Sequence, residues 1–258
     1  MRSIHPTAIV DPRAQLGAGV RVGPYSVIDG DVVVGEGTSI GAHCVVTGHT
    51  TIGRDNRIFH FCSIGEANQD KKYRGEPTRL AIGDRNTIRE YCSINRGTAQ
   101  DRGETTVGND NWIMAYCHIA HDCVVGDHTV FANNATLAGH VWIGDHTVLG
   151  GFTGVHQFVR VGAHVMAGVS SVVLQDIPPY VTVAGHPCTP HGINSEGLKR
   201  RGFAPEALAA LKRAYKTLYK SGLTLADAKA ELERQAQAAP EVGAIVEFLA
   251  TSTRGIVR

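Results

Sequence analysis

Stepping by six from Ile4 lands on an aliphatic side chain eleven times in succession: Ile4, Val10, Leu16, Val22, Ile28, Val34, Ile40, Val46, Ile52, Ile58 and Ile64. The register resumes at Ile82, Ile88 and Ile94, shifts by one, and runs on apolar residues from Val107 to Val173. The residue after the aliphatic is often glycine, and the fifth residue of the hexad is small or β-branched, as at Ser26, Thr38, Cys44, Thr50, Thr129, Ala135, Thr147 and Thr153. An α-helix repeats every 3.6 residues and cannot carry this period. A short strand followed by a tight corner can. The aliphatic and the fifth residue then point inward, and glycine is expected to supply the corner. Three sides close a coil of 18 residues, and coils stack about 4.8 Å apart. The chain is therefore expected to be mainly β, a parallel β-helix of hexapeptide repeats.

Five of the six cysteines, Cys44, Cys62, Cys92, Cys117 and Cys123, fall on the inward fifth position. That placement reads as small buried thiols in a reducing compartment, and Cys188 has no assigned place. Twenty-five basic against 24 acidic residues exclude a globally basic nucleic-acid binder. Neither a membrane-spanning run nor a signal peptide is evident, so the protein reads as cytoplasmic and not a membrane protein.

The repeat breaks at 66–79 (EANQDKKYRGEPTR) and 96–105 (RGTAQDRGET), two polar segments expected to loop out of the coil wall. The hexads fade after Val173, which suggests a β-helix over 1–190 and a C-terminal helical domain over 191–258. Three helices are expected there. Pro205 opens the first, with Leu208, Leu211, Tyr215 and Leu218 on one face. Thr224 and Asp227 form a capping signature for the second, and Pro240 opens the third. Residues 199–220 carry seven basic side chains against Glu206, either a solvated face or a surface for an acidic partner.

The 18-residue coil converts spacing into proximity. His121, Gly139 and Gln157 stack in one column, Asp122 and His140 in the next, with His118 and His156 close by. A single histidine on a corner is ordinarily a solvated side chain. Four beside a carboxylate point to chemistry. An imidazole takes a proton near neutrality, a carboxylate fixes its tautomer, and a glycine N–H can approach a developing oxyanion closely. No serine, cysteine or lysine stands in the column as a nucleophile, so direct acyl transfer with a general base fits best. His128, His146 and His164 form a second ladder, 18 apart. A straight ladder does not converge on a metal as bonds of about 2.1 Å require, so no metal is expected there.

The segments HIAHDCVVGDHTVFANNATLAGHVWIGD, GEANQDKKYRGEPTR, VHQF and NSEGLKRRGF closely resemble the UDP-N-acetylglucosamine O-acyltransferases, hexapeptide-repeat transferases that open lipid A biosynthesis. The resemblance covers essentially the whole chain. It implies a left-handed winding and a cytoplasmic homotrimer with active sites between subunits. It implies transfer of a 3-hydroxyacyl chain from acyl carrier protein to the glucosamine 3-hydroxyl of UDP-N-acetylglucosamine. No cofactor is implied, because the donor is the carrier's phosphopantetheine thioester. By the same resemblance His121 is the general base, Asp122 its orienting carboxylate and Gly139 the oxyanion donor. Lys72, His118, His140, His156 and Arg200 are basic groups around the substrates, Asp70 is a sugar contact and Gln69 a neighbouring polar contact. Gln157, Asn194, Glu196 and Arg201 lie near the nucleotide. Val169 stands where acyl-chain length is limited.

Three rivals remain at this point. A sister enzyme that N-acylates a glucosamine amine carries an extra N-terminal domain, whereas the hexads here begin at Ile4. A β-helix carbonic anhydrase would hold zinc through histidines of two subunits. A non-enzymatic β-helix would only present a flat surface, which the clustered histidines argue against.

Overall fold

The computed structural model describes residues 3–258. Two- to four-residue strands alternate with two-residue turns, and the chain winds as a left-handed parallel β-helix with three walls, closed by a longer antiparallel pair, Val181–Gly185 and Cys188–Ile193. The first wall has eleven strands, from Ser3–Ile4 to Cys188–Ile193. The second has nine, from Ile9–Val10 to Val172–Val173. The third has eight, from Gln15–Leu16 to Arg160–Val161. Registers such as His118↔Thr136 and Thr136↔Gly154 confirm the 18-residue coil. The hexad aliphatics are buried from Leu16 onward. Ile4 and the half-buried Val10 belong to the open first coil.

The fifth-position residues fill the interior and also bond along the axis. The amides of Asn86 and Asn111 donate at 2.9 Å to the side-chain oxygens of Asn56 and Asn86, and the Thr129 amide donates to Asn111 at 2.7 Å. All six cysteines are free and buried, Cys188 included. Sγ of Cys44, Cys62 and Cys92 lies 2.9, 3.0 and 3.1 Å from the carbonyls of Phe59, Arg89 and Met114. The thiols are thus weak internal donors, and burial and neighbouring thiols push most of them up, Cys62 and Cys92 to about 12.

The corners differ from expectation. Eighteen non-glycine residues take the left-handed conformation, with φ between 55 and 71°, and most are Tyr, Phe or His. The hexad glycines are needed for another reason. A Cβ at Gly35 would lie 2.5 Å from the Gly53 carbonyl carbon, and one at Gly23 would lie 2.7 Å from that of Gly41. Glycine admits the next coil's backbone, and the left-handed turn falls two residues later. That conformation costs an L-residue about 1–2 kcal/mol, and stacking each ring on the coil above returns about 0.5–1.5 kcal/mol per pair. Tyr25, His43, Phe61, Tyr91 and Tyr116 stack in this way at 4.8–5.1 Å on the corner between the first and second walls. His128, His146 and His164 do so at 4.9 and 4.8 Å on the corner between the third and first walls. Their rings lie face to face, within 4° and 19° of parallel, so the ladder packs the corner and its nitrogens do not converge.

Four helices follow the coils, one more than the sequence pattern suggested: α1 (Ser195–Arg200), α2 (Pro205–Tyr219), α3 (Leu225–Ala238) and α4 (Pro240–Thr251). The extra α1 is too short to show periodicity, and its signal was the Asn194 cap, which accepts from the Gly197 amide. Leu208, Leu211, Leu218, Leu232, Val242, Ile245 and Phe248 form the second core, while Tyr215 and Tyr219 also reach the first. Thr224 accepts from the Asp227 amide as expected of a cap. No described helix is long and apolar enough to cross a membrane.

Candidate active site

Both polar loops leave the coil between the second and third walls, the corner that carries His121. They are knitted together. Arg96 Nε donates to Tyr73 Oη at 3.0 Å, and Asn68 Nδ2 donates to the Gly97 carbonyl at 2.9 Å. Beneath them lies a cavity of about 570 Å³, lined among others by Gln69, Asp70, Lys72, His118, His121, His140 and Gln157.

His121 and Asp122 occupy successive turn positions, and Nδ1 of the imidazole lies 2.9 Å from Asp122 Oδ2. Asp122 is buried and its side chain is fully engaged. It accepts from the Thr98 amide at 3.1 and 3.0 Å and from the Thr98 hydroxyl at 2.6 Å, while its own amide donates to Thr105 Oγ1 at 2.9 Å. Burial pushes the Asp122 carboxyl up, but the bonds from His121 and Thr98 outweigh it and hold the group below its ordinary value. His118 accepts or donates through Nδ1 to Ser93 Oγ at 2.7 Å, and burial, with the nearby His121, pulls its pKa down.

Gly139 lies directly under the His121 ring: a Cβ there would be 2.4 Å from Cε1 and 2.7 Å from Nε2. Its amide has no acceptor among the described residues. The corresponding turn amides of Asn109 and Asp127, on the corner between the third and first walls, are taken by Asp127 and Asp145. His140 stands edge-on to His121 at 4.9 Å and stacks on Phe158 at 4.3 Å. His121, Asp122 and His140 bring ligand-type atoms within 4.8 Å of one another, the only such trio among the described residues. Both Nδ1 atoms already face carboxylates, His140 lying 2.5 Å from Asp101.

Of the remaining expected site residues, His156 lies on the His121 corner beside Gln157 and the others lie elsewhere on the chain. His156 is exposed at the end of the second wall, with Nδ1 3.1 Å from the Gln157 carbonyl. Asn194 and Arg201 flank α1 at the corner of the histidine ladder, bonded to the carbonyls of His164 and His146 at 3.0 Å each. Glu196 pairs with Lys199 at 2.8 Å, and Arg200 is exposed. Val169 is 70% exposed on the corner between the first and second walls. The expected site residues therefore fall on three corners of one chain. Sequence spacing missed Ser93, Thr98, Asp101, Thr105 and Phe158. Ser93, Thr98 and Asp101 sit in or before the second loop, where the insertion offsets stacked residues by 24 or 25 positions, or 39 for Asp101 and His140, whereas Thr105, in the strand Glu104–Val107, meets Asp122 at an offset of 17 that the coil made legible. Phe158 was legible as 18 beyond His140.

The bacterial transferase hexapeptide model matches residues 3–48 and 104–139, and the UDP-N-acetylglucosamine O-acyltransferase domain 2 model matches residues 176–257. An acyl-[acyl-carrier-protein]–UDP-N-acetylglucosamine O-acyltransferase of Thiobacillus denitrificans is 64% identical over 258 residues, covering 100% of both chains. The chain belongs to the UDP-N-acetylglucosamine O-acyltransferase family. Another member, from Neisseria gonorrhoeae, is 55% identical with the same full coverage. Among solved structures of the family, LpxA of Acinetobacter baumannii superposes with a TM-score of 0.97 at 47% identity, covering 99% of each chain. The UDP-N-acetylglucosamine acyltransferase of Francisella novicida also gives 0.97, at 41% identity, covering 99% of this chain and 94% of that one.

Proposed function

We propose that this chain moves a 3-hydroxyacyl group from the thioester of acyl carrier protein to the glucosamine 3-hydroxyl of UDP-N-acetylglucosamine, the opening step of lipid A biosynthesis, in the cytoplasm. Full-length identity to acyltransferases of that name supports the reaction. The observation that carries the mechanism is the His121–Asp122 pair at 2.9 Å above the unpartnered Gly139 amide.

Asp122 holds Nδ1–H, which leaves Nε2 as the basic atom. Nε2 takes the proton of the sugar hydroxyl as its oxygen attacks the thioester carbon. The oxyanion of the tetrahedral intermediate is met by the Gly139 N–H. The C–S bond then breaks, and the imidazolium returns the proton to the leaving thiolate, so no cofactor is required. Lys72 supplies positive charge and His118 and His140 polar ring nitrogens around the cavity, with Asp70 a contact for the sugar and Gln69 a neighbouring polar contact.

A homotrimer accounts for this spread over three corners. With subunits around a threefold axis, Asn194, Glu196, Arg200, Arg201 and Val169 of one chain can serve the corner of another that carries His121 and His156. The β-helix (1–190) would build the reacting centre, and the helical domain (191–258) would face the carrier.

His121→Ala tests the reading. It should leave the trimer intact and lower turnover by about 10²–10⁴-fold, the range for removal of a general base. Turnover within threefold of the parent would overturn the assignment.

A further inference from the structure

The second loop carries a carboxylate that the general-base mechanism does not use. Asp101 reaches across 39 residues of sequence to place Oδ2 2.5 Å from Nδ1 of His140. The same Nδ1 is 3.9 Å from Asp122 Oδ2, the oxygen that holds His121 at 2.9 Å. Two imidazoles therefore aim Nδ1 at one carboxylate oxygen, and a second carboxylate stands beside one of them. We propose that Asp101 is a positioning residue that draws His140 away from Asp122, so that Asp122 serves His121 alone and His140 presents Nε2 to the cavity. The proposal rests on the reading of His121 as the base.

The surroundings of His140 leave few other arrangements. One ring face lies on Phe158, 10° from parallel, and His121 meets the ring edge-on at 86°. The backbone amide is bonded to the His121 carbonyl at 2.9 Å, and φ is 64°. Phe158, His121 and Asp101 together fix the ring plane and the position of Nδ1. Asp101 is itself supported, because the loop is clamped at Thr98 by Asp122 and at Gly97 by Asn68. If Asp101 were absent, Asp122 would be the nearest acceptor for the Nδ1–H of His140, and the two imidazoles would compete for it. A neutral imidazole has one donor and one acceptor nitrogen, so this competition also leaves unfixed whether Nε2 faces the substrate as donor or acceptor. The Asp101 side chain is 43% exposed, so its removal spares the core.

A double-mutant cycle provides the test. Asp101→Ala should lower kcat about tenfold, the size of one charge-assisted hydrogen bond, with KM for UDP-N-acetylglucosamine changed less than twofold. Asp101→Asn keeps an acceptor oxygen and should recover most of the loss. In the His140→Ala background, Asp101→Ala should cost less than twofold further. Nitrogen-15 spectra of the ring should report a proton fixed on Nδ1 of His140 in the parent protein and tautomer averaging in Asp101→Ala. An equal cost in both backgrounds, or Asp101→Ala indistinguishable from the parent, would overturn the proposal. If His121→Ala abolishes turnover while Asp101→Ala does not lower it, only the role of Asp101 falls; if His121→Ala is active, the base assignment falls as well.

Discussion

Gly139→Ala separates the geometry of the proposed catalytic pair from the hydrogen-bond donor beneath it. The substitution keeps the amide and adds one methyl group. That methyl would lie 2.4, 2.7 and 3.0 Å from Cε1, Nε2 and Nδ1 of His121. Ordinary van der Waals contact needs about 3.5 Å or more between carbons, so the ring must retreat by about 1 Å. Gly139 does not have a positive φ, so alanine meets no backbone strain, and the burden falls on the imidazole. The ring can retreat only by stretching its 2.9 Å bond to Asp122 or by closing on His140. A misplacement of about 1 Å can cost about 10²-fold in rate. Release of the carrier thiol, followed continuously, should show kcat down by about that factor while the melting temperature barely moves. Adding Gly139→Ala to His121→Ala should then have almost no further effect. A Gly139→Ala enzyme within threefold of the parent, or one that slows the His121→Ala variant by a further 10²-fold, would refute the argument.

Three further outcomes can be measured independently. Burial and the adjacent cations pull the pKa of His164 down to about 4 from 6.5, so the unfolded chain takes up a proton that the folded one refuses between those values; stability should fall as pH drops from 6.5 to 4 and level off below it, and His164→Asn, which tolerates the left-handed turn, should flatten that slope in thermal melts. Val169→Gly should shift the preferred acyl chain to longer lengths, because two surplus methylenes forgo about 1.6 kcal/mol of burial and forcing them in adds about 1–3 kcal/mol; an unchanged optimum across a graded series of hydroxyacyl carriers would remove Val169 as the limit. Lys212, Arg213, Lys216 and Lys220 are exposed on and just after α2, so KM for the acidic carrier should rise with salt more than KM for the nucleotide sugar, and a salt-independent carrier KM would count against docking there.

The repeat made the coil, the inward cysteines and the pairing of His121 with Gly139 legible, because a fixed 18-residue offset turns sequence distance into spatial distance. It also misdirected one assignment. Glycine recurs where two backbones meet, and the turn itself is made by the residue two places on, whose aromatic character is explained only by stacking between coils. The supports of the site were hidden for the opposite reason. Thr98 and Asp101 lie where the offset fails, and no periodic argument could bring them to Asp122 and His140. The hexad phase places Val169 on its corner, but the spacing of one chain does not say what faces that corner, and the residues around α1 lie beyond the repeat.

The two loops enter and leave without disturbing the stack. The interior asparagines continue through them, paired 30 and then 25 residues apart where neighbouring coils use 18. Lengthening a closed loop from 18 to 30 residues costs only about 0.5 kcal/mol of chain entropy. A solenoid can therefore accept a new peripheral segment at almost any rung, provided the chain returns to register. The proposed acid–base pair is built into the rungs and the proposed sugar contact Asp70 into an excursion, so the two can change at different rates. Replacing the 66–79 segment should redirect which acceptor is bound while leaving the proton transfer intact, which makes this corner a natural place to graft new acceptors onto an unchanged reacting centre.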